Sequence, residues 1–135
     1  MALCVLLVED NPADVLLVRE ALEEHFVKAE VFVVNDGQKA IDFIDDADAG
    51  TGPRPQFVIL DLNLPKKSGH EVLRHIRGTR TLADLRVIVL SSSDAPRDRE
   101  AMAGLGLVQY IRKPSSLEDL AAVGVLLERL LAGSH

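Results

Sequence analysis

Short apolar runs rich in valine, isoleucine and leucine alternate along the chain with amphipathic segments. Leu3–Val8 is a continuous apolar run, which is typical of a strand buried on both faces. The same alternation predicts five strands, at Leu3–Val8, 30–34, Phe57–Leu60, 86–90 and 107–111. It also predicts helices after Asn11-Pro12, around 40–44, over 71–77, over 95–103 and from Pro114-Ser115 to about Leu131. A segment rich in alanine, glycine and proline, residues 47–55, predicts a loop.

Strict alternation of strands and helices predicts an α/β fold, with a parallel sheet covered by helices on both faces. Right-handed crossover connections reduce the possible topologies to a doubly wound sheet. The length of 135 residues fits one domain. No repeat or linker interrupts the pattern, so we expect one domain over residues 1–135 with no output domain.

Composition excludes several classes of function. The net charge of −6, from 21 acidic and 15 basic residues, argues against a nucleic-acid-binding surface, which needs a basic stripe. The longest apolar runs, 2–8 and 120–127, are far shorter than the ~20 residues that span a bilayer. A single cysteine, Cys4, excludes an internal disulfide and a cysteine-built zinc site. No basic segment opens the chain as in a signal peptide, so we expect a cytoplasmic protein.

Polar side chains follow the predicted strands at their carboxyl ends, which meet at one edge of a parallel sheet. Glu9 and Asp10 follow the first strand, and Asp61 follows the third. Ser91 follows the fourth strand and Lys113 the fifth. Each alone would be an ordinary cap, turn or solvated residue, but together they indicate a site.

The acidic residues of this set predict a metal ion. Two carboxylates ~4 Å apart repel by ~4 kcal/mol at an effective dielectric constant near 20, so their convergence calls for a cation. An all-oxygen set without histidine or cysteine suits a hard ion such as Mg²⁺. An aspartate can also act as a nucleophile that forms an acyl phosphate. Phosphoryl transfer then needs mainly positioning and charge neutralisation, which a divalent ion and a lysine supply.

Four stretches carry a resemblance to a known family. They are residues 5–11 (VLLVEDN), 60–65 (LDLNLP), 89–91 (VLS) and 110–114 (YIRKP). In this order and spacing the chain resembles, over its whole length, the receiver domain of two-component response regulators. The resemblance implies a flavodoxin-like sheet with strand order 2-1-3-4-5, an order the family shares with flavodoxin.

The resemblance also implies a role for each matching residue. Asp61 would accept a phosphoryl group from a phosphohistidine on a sensor histidine kinase, and Lys113 would contact the phosphoryl oxygens. Asp10 would bind Mg²⁺ directly and Glu9 through water. The backbone carbonyl of Asn63 would complete the protein ligands. The protein would be a signalling protein that catalyses only its own phosphorylation and dephosphorylation.

Three further residues complete what the resemblance implies. Ser91 and Tyr110 would form a switch pair that responds to phosphorylation. Serine stands at position 91 where threonine is common in the family, which loses a methyl group and keeps the hydroxyl. The peptide bond between Lys113 and Pro114 would be cis, a form open to bonds that precede proline.

A finer resemblance concerns residues 8–14, the long 47–55 segment and residues 61–66. These stretches are similar to single-domain regulators that partner phytochrome-type histidine kinases. That resemblance implies a light-responsive kinase upstream and an unidentified protein downstream.

The last predicted helix and the adjoining fifth strand suggest a homodimer, the alternative being a helix that its own domain buries. A helix that covers one face of a sheet needs a single apolar stripe, but apolar residues here extend beyond one stripe. The regulators that this chain resembles associate through the same region. The apolar residues in question include Leu120, Val123, Leu126, Leu127 and Leu130.

Other classes share parts of this pattern. A phosphatase of the haloacid dehalogenase type would also use Mg²⁺ and an acyl phosphate, but it carries a second acid where this chain has Asn63. A flavodoxin-like carrier would cradle a phosphate in its first loop, where Glu9 and Asp10 would repel it. A binding module that is never phosphorylated would not need the full set. Flavin absorbance, phosphatase turnover and Mg²⁺-dependent phosphorylation would separate these alternatives.

Overall fold

A computed structural model describes residues 3–25, 29–62, 64, 66–91, 104, 106, 109–113, 122, 125 and 129. Five parallel strands form one sheet in the order β2-β1-β3-β4-β5. The strands are β1 (Leu3–Val8), β2 (Ala29–Val34), β3 (Phe57–Leu60), β4 (Arg86–Ser91) and β5 (Gln109–Arg112). The helices with described bounds are α1 (Pro12–His25), α2 (Gly37–Ala49) and α3 (Gly69–Arg77). The predicted fold class and strand order are therefore confirmed.

The central strands bury both of their faces. Leu6 and Val8 of β1 pack in a core with residues of α2 and α3. Val5 and Leu7 point to the opposite face and pack in a second core with residues of α1. Alternate residues of a strand point to opposite sides of the sheet. The unbroken apolar run of β1 is thus explained by a layer of helix on each side.

The predicted loop over residues 47–55 is wrong at its start. Helix α2 continues to Ala49 and ends at Gly50, whose φ of 78° is a left-handed conformation that glycine adopts at low cost. Ala47 lies one turn after Ile44 and is buried in the same core. Alanine favours helix strongly, so the alanine-rich start of this segment extends the helix.

The other predicted elements agree with the structure where it describes them. Helix α3 begins two residues earlier than predicted, and β5 is described from Gln109. The predicted helix over residues 95–103 and the start of the last helix lie outside the described residues. Residues 122, 125 and 129 are helical and fall within the predicted last helix.

Side-chain caps begin the three helices at the carboxyl edge of the sheet. The Asn11 side chain accepts a hydrogen bond from the Ala13 amide at 2.9 Å. The side chains of Asp36 and Ser68 likewise accept hydrogen bonds from backbone amides in the first turns of α2 and α3. Such caps satisfy amide groups that have no partner within the helix. The caps fix the first turns of these helices beside the loops that follow the strands.

Helix α3 begins in direct contact with the loop that follows β3. The amide of Gly69 donates to the carbonyl of Leu62 at 3.1 Å. A Cβ at position 69 would lie 2.6 Å from the carbonyl oxygen of Asp61 and 2.7 Å from the Cα of Leu62. Only glycine allows this approach, which places the first turn of α3 against the backbone of Asp61.

Within the described part of the chain, no helix combines the length and the apolar character needed to cross a membrane.

Candidate functional site

Backbone hydrogen bonds that continue past the strand ends bring three acidic residues together. The amide of Glu9 donates to Val34 on β2, and the amide of Asp61 donates to Val8 on β1, both at 3.0 Å. Carboxylate oxygens of Glu9, Asp10 and Asp61 lie within 4.8 Å of one another. We call these three residues the rim acids. The structure thus brings these three side chains together, as the sequence predicts.

The rim acids differ in their exposure to solvent. Glu9 is 3% exposed and Asp61 is 5% exposed, whereas Asp10 is exposed. A recess bordered by Glu9, Asp61 and Lys113 has an apolar floor formed by Leu7, Val18, Ile59 and Leu90. Charges interact more strongly when water is excluded from one side. The acidic cluster is therefore partly enclosed by protein and is accessible to solvent on the side of Asp10.

Lys113 extends from the end of β5 into this cluster. Its ammonium group donates to Glu9 Oε1 at 2.5 Å, to Asp14 Oδ2 at 2.8 Å and to Asp61 Oδ2 at 3.2 Å. The sequence indicated Lys113 as the cation of the site. It missed Asp14, which the pattern presents only as an acid in the first turn of α1. The signal that could have found it is the start of α1 at Pro12, which keeps residue 14 close to the sheet edge.

The pKa values of the cluster reflect burial and mutual contact. Burial raises the pKa of Glu9 to about 9; the neighbouring Asp61 carboxyl adds to the rise, and Lys113 opposes it. Burial alone would lower the pKa of Lys113, but its hydrogen bonds to Asp14 and Glu9 and the charge of Asp61 raise it overall. Burial would raise the pKa of Asp14, yet its hydrogen bonds with Lys113 and Glu9 hold it below its ordinary value. Lys113 is thus firmly an ammonium, and Asp14 is its ionised partner.

The donor set fits a divalent cation. Glu9 Oε2 is buried, and no group in the described part of the structure donates a hydrogen bond to it. A buried acceptor without a partner is costly, and ions are one way in which proteins satisfy it. The oxygens of Glu9, Asp10 and Asp61 are the ligands that Mg²⁺ prefers. These residues therefore fit the predicted Mg²⁺ ion.

Several predicted residues are described only in part or not at all. Ser91 is the last residue of β4, where it pairs with Arg112 of β5, but its side chain lies outside the described part. Tyr110 is half-buried and packs against the core beneath α2 and α3. Asn63 and Pro114 lie outside the described residues, and with Pro114 the predicted cis peptide. So do Leu120, Val123, Leu126, Leu127 and Leu130.

Comparison with known families decides which class of protein has this geometry. The profile described as the response regulator receiver domain matches residues 5–123 of the chain. The chain belongs to this family. This receiver domain is therefore a component of phosphorylation-based signalling in two-component systems, whose partners are sensor histidine kinases. This family assignment favours the receiver domain over the phosphatase and over the flavodoxin-like carrier as the class of protein.

Relatives and solved structures resemble this receiver domain along most of its length. Response regulator Rcp1 of Synechocystis sp. is 38% identical over 117 residues, which cover 86% of this chain and 80% of Rcp1. The phosphorylated cyanobacterial phytochrome response regulator RcpA has a TM-score of 0.90 and 35% identity, and covers 100% of this chain and 97% of its own. A sequence relative and a solved structure thus both resemble this receiver domain along most of its length.

Two of the solved neighbours contain a metal ion. The Mn²⁺-bound form of Rcp1 has a TM-score of 0.86 and 34% identity, with coverage of 98% and 96% of the two chains. The receiver domain of the sensor histidine kinase PA1611 from Pseudomonas aeruginosa holds magnesium in its active site cleft. It has a TM-score of 0.76 and 26% identity, with coverage of 98% and 100%. Metal binding in these neighbours agrees with the fit of Mg²⁺ to the rim acids.

Proposed function

We propose that Asp61 of this receiver domain accepts a phosphoryl group from the phosphohistidine of a sensor histidine kinase in a Mg²⁺-dependent reaction. The observation that carries the proposal is the surroundings of Asp61. Its carboxylate is almost fully buried, lies near two further acids and is 3.2 Å from the ammonium of Lys113. Buried carboxylates that lie this close together repel one another and call for a cation. An aspartate in such a place can act as the nucleophile that forms an acyl phosphate.

The chemistry follows from the groups present. A carboxylate oxygen of Asp61 attacks phosphorus, a new oxygen–phosphorus bond forms, and the phosphorus–nitrogen bond to the kinase histidine breaks. The electron pair of that bond leaves with the imidazole, which takes up a proton. Lys113 is close enough to donate to a phosphoryl oxygen as negative charge moves onto the acceptor. A Mg²⁺ ion held by Asp10, Asp61 and Glu9 would neutralise further phosphoryl charge, and the Asn63 carbonyl would be its remaining protein ligand.

Phosphorylation would act on the fold through Ser91 and Tyr110. The phosphoryl group adds negative charge that the Ser91 hydroxyl and Lys113 would bind. Tyr110 pairs with Val89 on the neighbouring strand and is half-buried. An inward movement at residue 91 would leave space for the ring of Tyr110 and favour one of two packings. The protein would signal through this change and catalyse no reaction except its own phosphorylation and dephosphorylation.

The upstream partner would be a phytochrome-type histidine kinase in the cytoplasm. The support is the similarity to Rcp1 and to RcpA, a structure described as a phytochrome response regulator. A screen of phosphotransfer from the histidine kinases of the same organism tests this assignment. Transfer from the phytochrome-type kinase is expected to be fastest, and exclusive transfer from an unrelated kinase would contradict it.

A second copy of the chain would be a further partner. Val125 is helical and 47% exposed, and the sequence adds Leu126 and Leu130 to the predicted last helix. A contiguous apolar patch on that helix would suit contact with another protein chain. Replacing Leu126 and Leu130 with aspartate should give a folded monomer that is still phosphorylated. Sedimentation that shows a monomeric wild type, with and without acyl phosphate, would exclude the dimer.

Labelling by a small acyl phosphate tests the function itself. Wild-type protein is expected to gain one phosphoryl group with Mg²⁺ and none with a chelator, as measured by intact mass. Asp61→Asn should fold and gain none. Asp45→Asn is the matched control, because Asp45 lies on the surface of α2, and it should label like wild type. Full labelling of Asp61→Asn would overturn the proposal.

A further inference from the structure

Asp14 is a fourth carboxylate at the site. It is neither one of the three acids that could hold a metal ion nor the proposed phosphoryl acceptor. It lies in the first turn of α1, within hydrogen-bond distance of Lys113. Its Oδ2 atom accepts a hydrogen bond from Lys113 Nζ at 2.8 Å, with side-chain exposures of 24% for Asp14 and 14% for Lys113. A pair this sheltered is less screened by solvent than an ordinary surface ion pair.

The ammonium of Lys113 has no donor to spare in this arrangement. It carries three N–H groups, and three carboxylates accept from it, those of Glu9, Asp14 and Asp61. The distance to Asp61 is the longest of the three, so the ammonium lies closer to Glu9 and Asp14 than to the acceptor. A phosphoryl group on Asp61 would therefore compete with Asp14 for the N–H groups and the position of this ammonium.

The negative charge of Asp14 should also disfavour a phosphoryl group on Asp61. Glu9, Asp10 and Asp61 already place three carboxylates within 4.8 Å, and phosphorylation adds further negative charge. Asp14 contributes one more negative charge next to the only ammonium that the described residues bring to the cluster. It therefore opposes the phosphorylated state by repulsion as well as by competition.

We propose that Asp14 is a positioning residue that draws the ammonium of Lys113 toward α1 in the resting protein, where Asp61 shares it, and competes with the phosphoryl group for it. This inference rests on the proposed role of Asp61 as the acceptor. Asp14 thereby lowers the stability of the phosphorylated form relative to the resting form. A purely structural Asp14, which only stabilises the first turn of α1 through the helix dipole, would leave the affinity for a phosphoryl group unchanged.

Affinity for beryllofluoride, a phosphoryl analogue, measures this competition at equilibrium. Asp14→Asn keeps the size of the side chain and one acceptor oxygen but removes the charge. In saturating Mg²⁺ we expect it to bind beryllofluoride about tenfold more tightly than wild type, since a charge-assisted hydrogen bond is roughly twice as strong as a neutral one. Glu20→Gln removes the same charge from an exposed position of α1 and should bind like wild type. Isothermal titration calorimetry gives both dissociation constants.

A double-mutant cycle shows whether Asp14 acts through Lys113. In a Lys113→Met background the gain from Asp14→Asn should fall to the smaller part that repulsion contributes, because no ammonium remains to be released. A gain of the same size in that background would show that Asp14 acts only by its field, and would overturn the positioning role. Asp14→Glu, whose longer side chain still reaches the ammonium, should return the affinity close to the wild-type value.

The outcomes separate this inference from the proposed function. If wild type binds beryllofluoride with Mg²⁺ and Asp61→Asn does not, the acceptor role stands. Equal affinity of wild type and Asp14→Asn in that case overturns the role of Asp14 alone, and so does a failure of Asp14→Glu to restore the wild-type value. If wild type does not bind, or Asp61→Asn binds equally well, the acceptor role fails and the inference fails with it. Urea unfolding of each variant verifies that the proteins compared are folded.

Discussion

Two groups of acidic residues lie on this small domain, and their environments are opposite. The rim acids are clustered around the ammonium of Lys113, and one buried oxygen of Glu9 has no donor within the described residues. On α2, Asp48 accepts from the amide and hydroxyl of Thr81, both at 2.6 Å, and from the amide of Arg80 at 3.2 Å. Asp45 lies 2.6 Å from Nε2 of His75 on α3.

The difference separates acids that hold the fold together from acids that do chemistry. The oxygens of Asp48 accept from fixed neighbours, and hydrogen bonds led by those from Thr81 hold its pKa below the ordinary value. Burial raises the pKa of Glu9 instead, and its contacts with the acids Asp61 and Asp14 add to the rise. One buried oxygen of Glu9 also lacks a donor within the described residues. Such a shortfall is a cost that a fold tolerates where a ligand is to bind. Loss of a rim acid should therefore damage function, and loss of Asp48 should damage stability.

Removal of Asp10 should give the largest functional loss with no loss of stability. Mg²⁺ usually relies on one or two carboxylates together with phosphate oxygens, so Asp10→Ala is expected to abolish Mg²⁺-dependent phosphorylation. The free energy of unfolding should stay equal or rise, because repulsion among the rim acids falls. Calorimetric titration with Mg²⁺, acyl-phosphate labelling and urea unfolding measure the three quantities. Glu23→Ala on the exposed side of α1 is the control, and unchanged Mg²⁺ affinity in Asp10→Ala would contradict the account.

The sequence predicts this contrast only in part. The rim acids follow directly from the strands, because the end of each buried apolar run fixes which residue reaches the sheet edge. Asp14 and Asp48 do not follow from strand ends. Their contacts depend on how α1 and α2 pack and on the turn after α3. The local sequence pattern of one element does not predict how that element packs on another. The continuation of α2 to Ala49 is a different case, because the alanines that favour helix there are a local signal, which the glycine and proline residues after them obscure.

Substitution of Gly69 should reduce both the stability of the fold and the phosphorylation of Asp61. A Cβ at this position would clash with the backbone of Asp61 and Leu62. Gly69→Ala is therefore expected to lose about 1–3 kcal/mol of stability, the usual cost of overpacking, and to slow labelling of Asp61. Gly78→Ala, at the other end of α3, meets no atom closer than 3.6 Å and should do neither. Wild-type stability and labelling in Gly69→Ala would show that α3 does not fix the position of Asp61.

Asp48 should show the reverse pattern, a loss of stability without loss of phosphorylation. Its folded-state pKa is depressed, so its contribution is fully present above the ordinary aspartate pKa of ~3.9 and is lost as pH falls through the lower folded-state value. Asp48→Asn should be less stable than wild type at neutral pH, and the difference should shrink in acid. Urea unfolding across this pH range measures it, with Asp46→Asn as an exposed control on α2. A stability difference that is independent of pH would contradict the ionic role.

The smallest expected change is at the switch, where phosphorylation persists and only its consequence weakens. Ser91→Ala should still accept a phosphoryl group at Asp61, because the hydroxyl contributes only one donor. Tyr110 is the only tyrosine of a chain without tryptophan, so intrinsic fluorescence reports on it alone. Phosphorylation should change this fluorescence less in Ser91→Ala than in wild type. An identical change in both proteins would remove Ser91 from the switch.

The central claim is that the rim acids, and Asp61 among them, form the phosphoryl-accepting site, while the acids of α2 serve the fold. Locating the label tests this most directly. Wild-type protein is phosphorylated with a small acyl phosphate and Mg²⁺, the acyl phosphate is trapped by reduction, and peptide mass spectrometry identifies the modified residue. The account predicts modification at Asp61 and at none of Asp10, Asp14, Asp45 or Asp48. A label on any of those residues, with Asp61 unmodified, would contradict it.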